Sequence, residues 1–394
     1  MPIDTLLEDW LPELTAWRRD FHAHPELGYA EHRTAALVAE RLEGFGLEVT
    51  AGVGGTGVVG TLRNGDGNRA IGLRADMDAL PITEANDVPY RSENEGKMHA
   101  CGHDGHTTTL LAAARYLAET RRFSGTVHFI FQPAEEGGAG AARMIEDGLF
   151  ERFPCDAVFG AHNDPGLPAG TVAARTGIVN AASDTLQVTI AGRGGHAARP
   201  HLAADPLLAA AQMVTALQSF VARRAPPFES VVVSICEFHA GSAHNVIPHS
   251  AQFTGTVRTL TPAMRDQAWA EITQMLERMA HGFGVTAAVD YQRGYPPVEN
   301  DAEMTALAAE AASGLPGVAS VRTDVPPTMG SEDFAYYGRE RPACFLRFGQ
   351  RGEAADGTPV GAMPLHHPNY DFNDAILPVG AAVFAAIAGR MLSR

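Results

Sequence analysis

Positive charge is scarce in this 394-residue chain: Lys and Arg together number 30 against 46 Asp and Glu, a formal net charge of -16. A surface of that sign repels nucleic-acid phosphates and anionic lipid headgroups, so neither nucleic acid nor a membrane is an expected partner. Long apolar runs are lacking as well. The longest uncharged one, 375–389, falls short of the roughly 20 residues that span a bilayer and contains Pro378 and two glycines. The opening residues MPIDTLLEDW carry acids where an export signal carries Lys or Arg before an apolar stretch, and no Asn-X-Ser/Thr sequon occurs. Cysteine is sparse: Cys101, Cys155, Cys236 and Cys344 are scattered singly, which argues against a disulfide framework. A cytoplasmic location is therefore expected.

What is present argues for an ordinary globular protein. Apolar residues make up 45% and charged residues 19% of the chain, too hydrophobic a balance for disorder, and its length suggests about two or three domains. Histidine is enriched, with 16 residues, roughly twice the usual share.

The spacing of Leu6, Leu7, Leu11, Leu14 and Trp17 predicts helix, interrupted at HPELG and resumed from Glu31 to Leu42. Asn64-Gly65 between two β-prone runs predicts a hairpin. Strands are expected at 126–131 and 157–161 with a helix at 107–120, an α/β alternation that implies a central mixed β-sheet flanked by helices. After Ala182 the order becomes strand 186–190, helix 205–221, strands 231–237 and 252–259, helix 261–282 and strand 286–292. That βαββαβ order is ferredoxin-like and reads as an inserted second domain. The expected division is 1–182 and 294–394 for the first domain and 183–293 for the insertion. Gly52, Gly54 and Gly57 match GxGxxG, but Val58, Val59, Thr61 and Leu62 follow where a dinucleotide site needs a helix, so the glycines are read as bends between strands.

Several segments carry groups suited to chemistry. HACGHDGH places Cys101 and His103 in a glycine-containing loop before the expected helix, and thiolate and imidazole both suit zinc-like metals. A polar loop holding a buried free thiol is the bland alternative. GTVHFIFQPAEEG ends a strand and delivers Glu135 and Glu136, one able to hold a metal while the other faces a water. Strands also end near His162 and near Asp76 and Asp78, where α/β sheets place their sites. LHHPNYDF adds His366 and His367, either of which could be a ligand. Within the insertion, GRGGHAARPH holds His196 and His201; Asn245 and Arg258 follow, and arginine offers a fork for a carboxylate or can pair within its own domain.

Taken together these segments resemble the zinc aminoacylase and glutamate-carboxypeptidase superfamily, in particular its amidohydrolase branch of hippurate hydrolases, N-acyl-amino-acid deacylases and auxin-conjugate hydrolases. The resemblance runs through RRDFHAHPELGYAE, LRADMDALP, HACGHDGHT, FQPAEEGGAGA, HNDPGLPAG, GRGGHAARPH, NVIP, GTVR, MGSEDFAYY and LHHPNYDFND. It implies a catalytic domain with two divalent ions, zinc first and manganese, cobalt or nickel as alternatives, and a lid domain that mediates homodimerisation and further pairing to a homotetramer. It implies Cys101, His103, Glu136, His162 and His366 as metal ligands, Glu135 as general base and Asp78 as an orienting carboxylate. His196 would stabilise the tetrahedral intermediate, while Asn245 and Arg258 would hold the substrate carboxylate. His249 after NVIP and Ala375-Ile376 after DFND depart from the branch's usual Asp and Glu-Ala.

The expected reaction is metal-dependent hydrolysis of an N-acyl amino acid. A metal-binding scaffold without turnover is the alternative from another class, disfavoured because neither base nor ligand is missing. A dipeptidase or a biosynthetic deacetylase is the alternative among enzymes.

Overall fold

The computed structural model describes residues 3–353 and 357–393. Contacts gather the chain into two units. The first runs through Gly177 and resumes at Glu299–Pro326 and from Asp333 onward; the second comprises Ile178–Val298 and Pro327–Glu332. The segment Pro327–Glu332 thus belongs with the second unit, although the sequence reading places it in the first. Asn180 and Thr328 form a parallel β-bridge within the second unit, which accounts for the return.

In the first unit, helices Ile3–Asp9, Leu11–Ala23 and His32–Gly44 lead into a mixed sheet. Its strand order is Glu48–Val53, Gly57–Asn64, Gly125–Gln132, Ala70–Asp76, Ala157–Pro168, Ala343–Glu353, Thr171–Ala173 and Ser320–Arg322. The strands from Gly125–Gln132 to Ala343–Glu353 run parallel to one another. Ile71, Leu73, Phe129, Phe131, Phe159 and Leu346 on these strands are fully or almost fully buried. That explains their near-continuous apolar sequence, since a parallel sheet is covered on both faces. Helices His103–Thr120 and Leu377–Met391 pack against each other. Asp374–Met391 is apolar and long enough to cross a membrane by composition, and 67% of it is buried inside the protein, as in a core helix.

Two local expectations are corrected. Asn64-Gly65 is not a hairpin: strand Gly125–Gln132 inserts between Gly57–Asn64 and Ala70–Asp76 and pairs with both. The true hairpin joins Glu48–Val53 to Gly57–Asn64, with Gly52 and Gly54 at positive φ. The helix expected from Thr107 begins at His103, because Gly102 adopts φ 91° and turns the chain directly into it. A Cβ at Gly102 would lie 2.4 Å from Asn163 Oδ1 and 2.6 Å from the Tyr370 hydroxyl, so no other residue fits.

The second unit has the βαββαβ order. Its antiparallel sheet runs Val231–Ala240, Ser250–Thr259, Ala182–Ala191, Thr286–Arg293, with helices Pro206–Arg223 and Pro262–Gly282. Both helices start with proline behind a side-chain cap. Asp205 Oδ1 accepts the Leu207 N–H at 2.9 Å and Thr261 Oγ1 accepts the Met264 N–H at 3.2 Å. Leu186, Val188, Ile190, Phe253, Leu217, Phe220, Ile272 and Leu276 form its core.

Candidate metal centre

The carboxyl ends of the parallel strands in the first unit bring the chemistry-bearing residues together, as the topology of open α/β sheets favours. Strand Ala70–Asp76 ends at Asp76 with Asp78 two residues beyond, and strand Gly125–Gln132 leads through Pro133 and Ala134 to Glu135 and Glu136. His162 lies on Ala157–Pro168, paired with Arg347 of the neighbouring strand. His366, at φ 64°, donates its backbone N–H to Ala100 O at 2.8 Å, tying its segment to the residue before Cys101.

Cys101, His103, Glu136, His162 and His366 therefore converge. Cys101 Sγ is 3.3 Å from His162 Nε2, and His366 Nε2 is 3.2 Å from Glu136 Oε1. Ligand atoms of Cys101, His103 and His162 lie within 4.8 Å of one another, and so do those of Cys101, Glu136 and His366. The thiol is common to both groups. His103 is fully buried, whereas the His366 side chain is 52% exposed, so the cluster has a floor and a mouth.

The histidines are oriented in a way that suits metal ligation. His103 Nδ1 lies 2.8 Å from the backbone carbonyl of Asp78 and His162 Nδ1 lies 2.7 Å from that of Asn163. A proton on each Nδ1 donates to a carbonyl and leaves Nε2 with its lone pair for a cation. His103 Nε2 is buried and has no hydrogen-bond partner among the described residues. A buried nitrogen in that state needs an occupant. The thiol, imidazole and carboxylate donors together suit zinc-like divalent metals.

Electrostatics point the same way. Burial pushes the Cys101 thiol well above its ordinary pKa, and Glu136, Glu135 and Asp76 push it further. Burial holds His162 well below the usual imidazole range, with His106 adding to the effect, so its ring is neutral. For His103, burial opposes the charge, yet Asp76, Asp78 and Glu136 carry its pKa up to about 10. Carboxylates outnumber the available cationic charge around the buried floor of the cluster; a divalent cation would relieve that excess and take the thiol proton's place.

Asp78 supports the acidic pair directly. Its Oδ1 accepts the Glu135 N–H at 3.0 Å and its Oδ2 the Glu136 N–H at 2.9 Å. The sequence reading left other supports unassigned. Arg74 is buried and donates to Asp76 at 2.7 Å, Gln132 at 2.8 Å and Asp333 at 3.1 Å. His106 Nδ1 is 2.6 Å from Asp76 Oδ1 and Nε2 is 2.7 Å from Asn163 Oδ1. Below Asp104, His22 and Arg18 project from helix Leu11–Ala23. All lie inside or next to the quoted motifs; polar residues on expected core faces were the signal available for them.

In the second unit, His196 pairs with Val246, next to Asn245, whose carbonyl accepts the Ala197 N–H at 3.1 Å. His196 Nδ1 accepts the Ala198 N–H at 3.1 Å, which leaves the ring proton on Nε2. Arg258 makes no ion pair among the described residues; it donates to Ser331 Oγ at 2.8 Å and Thr256 Oγ1 at 3.1 Å. The departure at His249 has a structural account: its Nδ1 accepts the Gly194 N–H at 3.3 Å, so imidazole supplies an acceptor there. At the other departure, Asn373 Oδ1 accepts the Ala375 N–H at 3.1 Å and caps the short helical turn Asp374–Ile376.

Comparison with known proteins agrees with this architecture. The model of Peptidase family M20/M25/M40 matches residues 72–390. A hippurate hydrolase of Campylobacter jejuni is 40% identical over 375 residues, covering 95% of each chain. An N-acetyl-L-cysteine deacetylase of Bacillus subtilis is 37% identical over 96% of this chain and 88% of its own. The crystal structure of Bacillus subtilis YXEP, described as a dinuclear metal binding peptidase from the M20 family, superposes with a TM-score of 0.83 at 34% identity over 98% of this chain and 99% of that one. With a family match across most of its length and relatives of this identity along nearly all of it, the chain belongs to Peptidase family M20/M25/M40 and is a metal-dependent hydrolase.

Proposed function

We propose that the protein hydrolyses the amide bond of N-acyl amino acids, hippurate-like or N-acetylated, to a carboxylic acid and a free amino acid. The observation that carries this reading is the turn at Glu135 and Glu136, whose N–H groups are both fixed on Asp78 beside the Cys101 cluster. One acid of the pair can then serve as a ligand while its neighbour serves as a base.

In this reading Cys101, His103, Glu136, His162 and His366 hold two divalent ions, zinc in the first instance, with manganese, cobalt or nickel as alternatives. Such ions, when bound, polarise a carbonyl and lower the pKa of water. Glu135 takes a proton from the attacking water as its oxygen bonds to the acyl carbon. It then delivers that proton to the amine nitrogen as the C–N bond breaks. Asp78 holds the backbone of the base through both reactant and product states. His196 donates from Nε2 to the oxygen that gains charge as the carbonyl becomes tetrahedral. Asn245 and Arg258 bind the substrate carboxylate; the lack of an ion-pair partner for Arg258 among the described residues supports that role.

We also place the enzyme in the cytoplasm as a homodimer joined through the second unit, with pairing of dimers to tetramers as a further state. The free state of all four cysteines is compatible with a reducing compartment. Exposed Leu207, Leu208 and Phe238 lie on helix Pro206–Arg223 and the edge strand Val231–Ala240, a face open to a second copy.

The test is Glu135→Gln, assayed with hippurate and a panel of acetylated amino acids and dipeptides while metal content is measured. The reading expects metal to remain and turnover to fall roughly 10²–10⁴-fold. Near-normal hydrolysis would defeat it, and preference for free dipeptides would transfer the assignment to a dipeptidase.

A further inference from the structure

The segment RRDFHAHPELGYAE carries part of the family resemblance, and beyond Arg18 and His22 the chemistry above gives it no task. Its last residue, Glu31, immediately precedes helix His32–Gly44 and is fully buried. The carboxylate reaches away from that helix. Oε1 accepts the backbone N–H of Ala134 at 2.8 Å, and Oε2 accepts the hydroxyl of Thr56 at 2.5 Å.

Ala134 is the residue before Glu135 and Glu136, and it sits at φ 51°, ψ 48°. L-residues avoid this left-handed region because Cβ crowds the backbone, and a residue held there persists only where its surroundings fix it. The surroundings here are specific. Consecutive N–H groups of Ala134, Glu135 and Glu136 all end on carboxylates, the first on Glu31 and the next two on Asp78. A Cβ on Gly28 would lie 3.0 Å from Ala134 Cβ, so the segment bearing Glu31 packs directly against the turn. At the turn's far side, the Tyr29 hydroxyl donates to Gly138 O at 2.6 Å.

We propose that Glu31 is a positioning residue for the acidic pair: by accepting the Ala134 N–H it fixes the left-handed turn that aims Glu135 and Glu136. The inference rests on the reading of Glu135 as base and Glu136 as ligand. Reach is what matters here, because an amide oxygen accepts the same N–H as a carboxylate. Glu31→Gln keeps that acceptor and lets its NH2 donate to Thr56 Oγ1. Glu31→Asp keeps the charge and withdraws it by about one bond length, out of range of Ala134.

The experiment compares Glu31→Gln, Glu31→Asp and wild type by steady-state hydrolysis of N-acyl amino acids and by calorimetric titration of zinc into chelated protein. Glu31→Gln is expected to stay within about threefold of wild type in kcat and in zinc affinity. Glu31→Asp is expected to lose roughly 10- to 100-fold in kcat with KM within about threefold, and to bind zinc about tenfold more weakly. Equal behaviour of the two variants in either measurement, or a larger loss in Glu31→Gln, overturns the proposal. Wild-type protein that binds zinc but hydrolyses none of the substrates would defeat the proposed reaction instead; the zinc titrations would then decide the role of Glu31 alone.

Discussion

Cys101 Sγ lies 3.3 Å from His162 Nε2, and the same sulfur belongs to a second group with Glu136 and His366. Sharing one thiol between two sets of donors has a consequence for occupancy. His162 and His366 fall in different groups, so His162→Ala and His366→Ala should each weaken one ion and spare the other. Metal analysis after gel filtration should find about half the wild-type content in each variant, with activity down at least about 100-fold. Full content in both would show that neither nitrogen is a ligand.

Asp78 uses both carboxylate oxygens on backbone N–H groups, at 3.0 Å to Glu135 and 2.9 Å to Glu136. Asp78→Asn can satisfy one and turns an NH2 toward the other. The expected loss is roughly 10- to 100-fold in kcat, the usual scale for a group orienting a metal site, with little change in KM. An unchanged kcat in steady-state assays would remove Asp78 from the machinery.

Arg18 and Arg19 are sequence neighbours with opposite expectations. The Arg18 side chain is fully buried, 2.6 Å from Asp374 and 3.3 Å from Asp371, whereas that of Arg19 is 44% exposed. Arg18→Met takes the cation from the buried Asp104 carboxylate, 3.5 Å away, and from the partly buried Asp374, and should cost about 3–5 kcal/mol in denaturant unfolding. Arg19→Ala should cost under about 1 kcal/mol. Similar losses in the two variants would contradict the buried network.

His22 should give stability a pH dependence. Burial opposes its charge, but hydrogen bonds to Asp104 at 2.8 Å and Glu84 at 3.2 Å raise its pKa from 6.5 to about 9. A histidine raised on folding contributes its full stability below the unfolded value and loses it as pH climbs through the folded one. The His22 contribution to stability should therefore decline between pH 6.5 and about 9, by about 3 kcal/mol. Unfolding curves across that range should show a steeper decline in wild type than in His22→Gln, the difference between them being the His22 share; parallel profiles would contradict the assignment.

Much of this was legible in the chain because local signals suffice where an element is stabilised locally. Strands such as Ala182–Ala191 alternate in burial as their sequence alternates, and Asp205-Pro206 and Thr261-Pro262 mark helix starts within a residue or so. The segment bearing Glu135 and Glu136 was likewise readable as a strand end, whereas His162, expected where its strand stops, lies inside Ala157–Pro168, which stays paired beyond it. Non-local choices were not. The Asn64-Gly65 hairpin failed because strand Gly125–Gln132, some sixty residues on, takes the position between the flanking strands. Arg18 and His22 occupy the same buried face as Leu14 and Phe21. A charge on that face looks misplaced until Asp104 and Asp374, far along the chain, are known to meet it. Glu31 was hidden for a related reason: its partners, the backbone N–H of Ala134 and the hydroxyl of Thr56, lie far along the chain, and a backbone N–H leaves no mark in composition.

The central claim is that a single thiol holds together a site for two divalent ions, and metal content in Cys101→Ala tests it most directly. Wild-type protein loaded with zinc and freed of excess should carry about two ions per chain by elemental analysis. Cys101→Ala, shown folded by its circular dichroism, should carry well under one, because both donor groups lose their shared member. A folded Cys101→Ala protein that still retains two tightly bound ions would contradict the account.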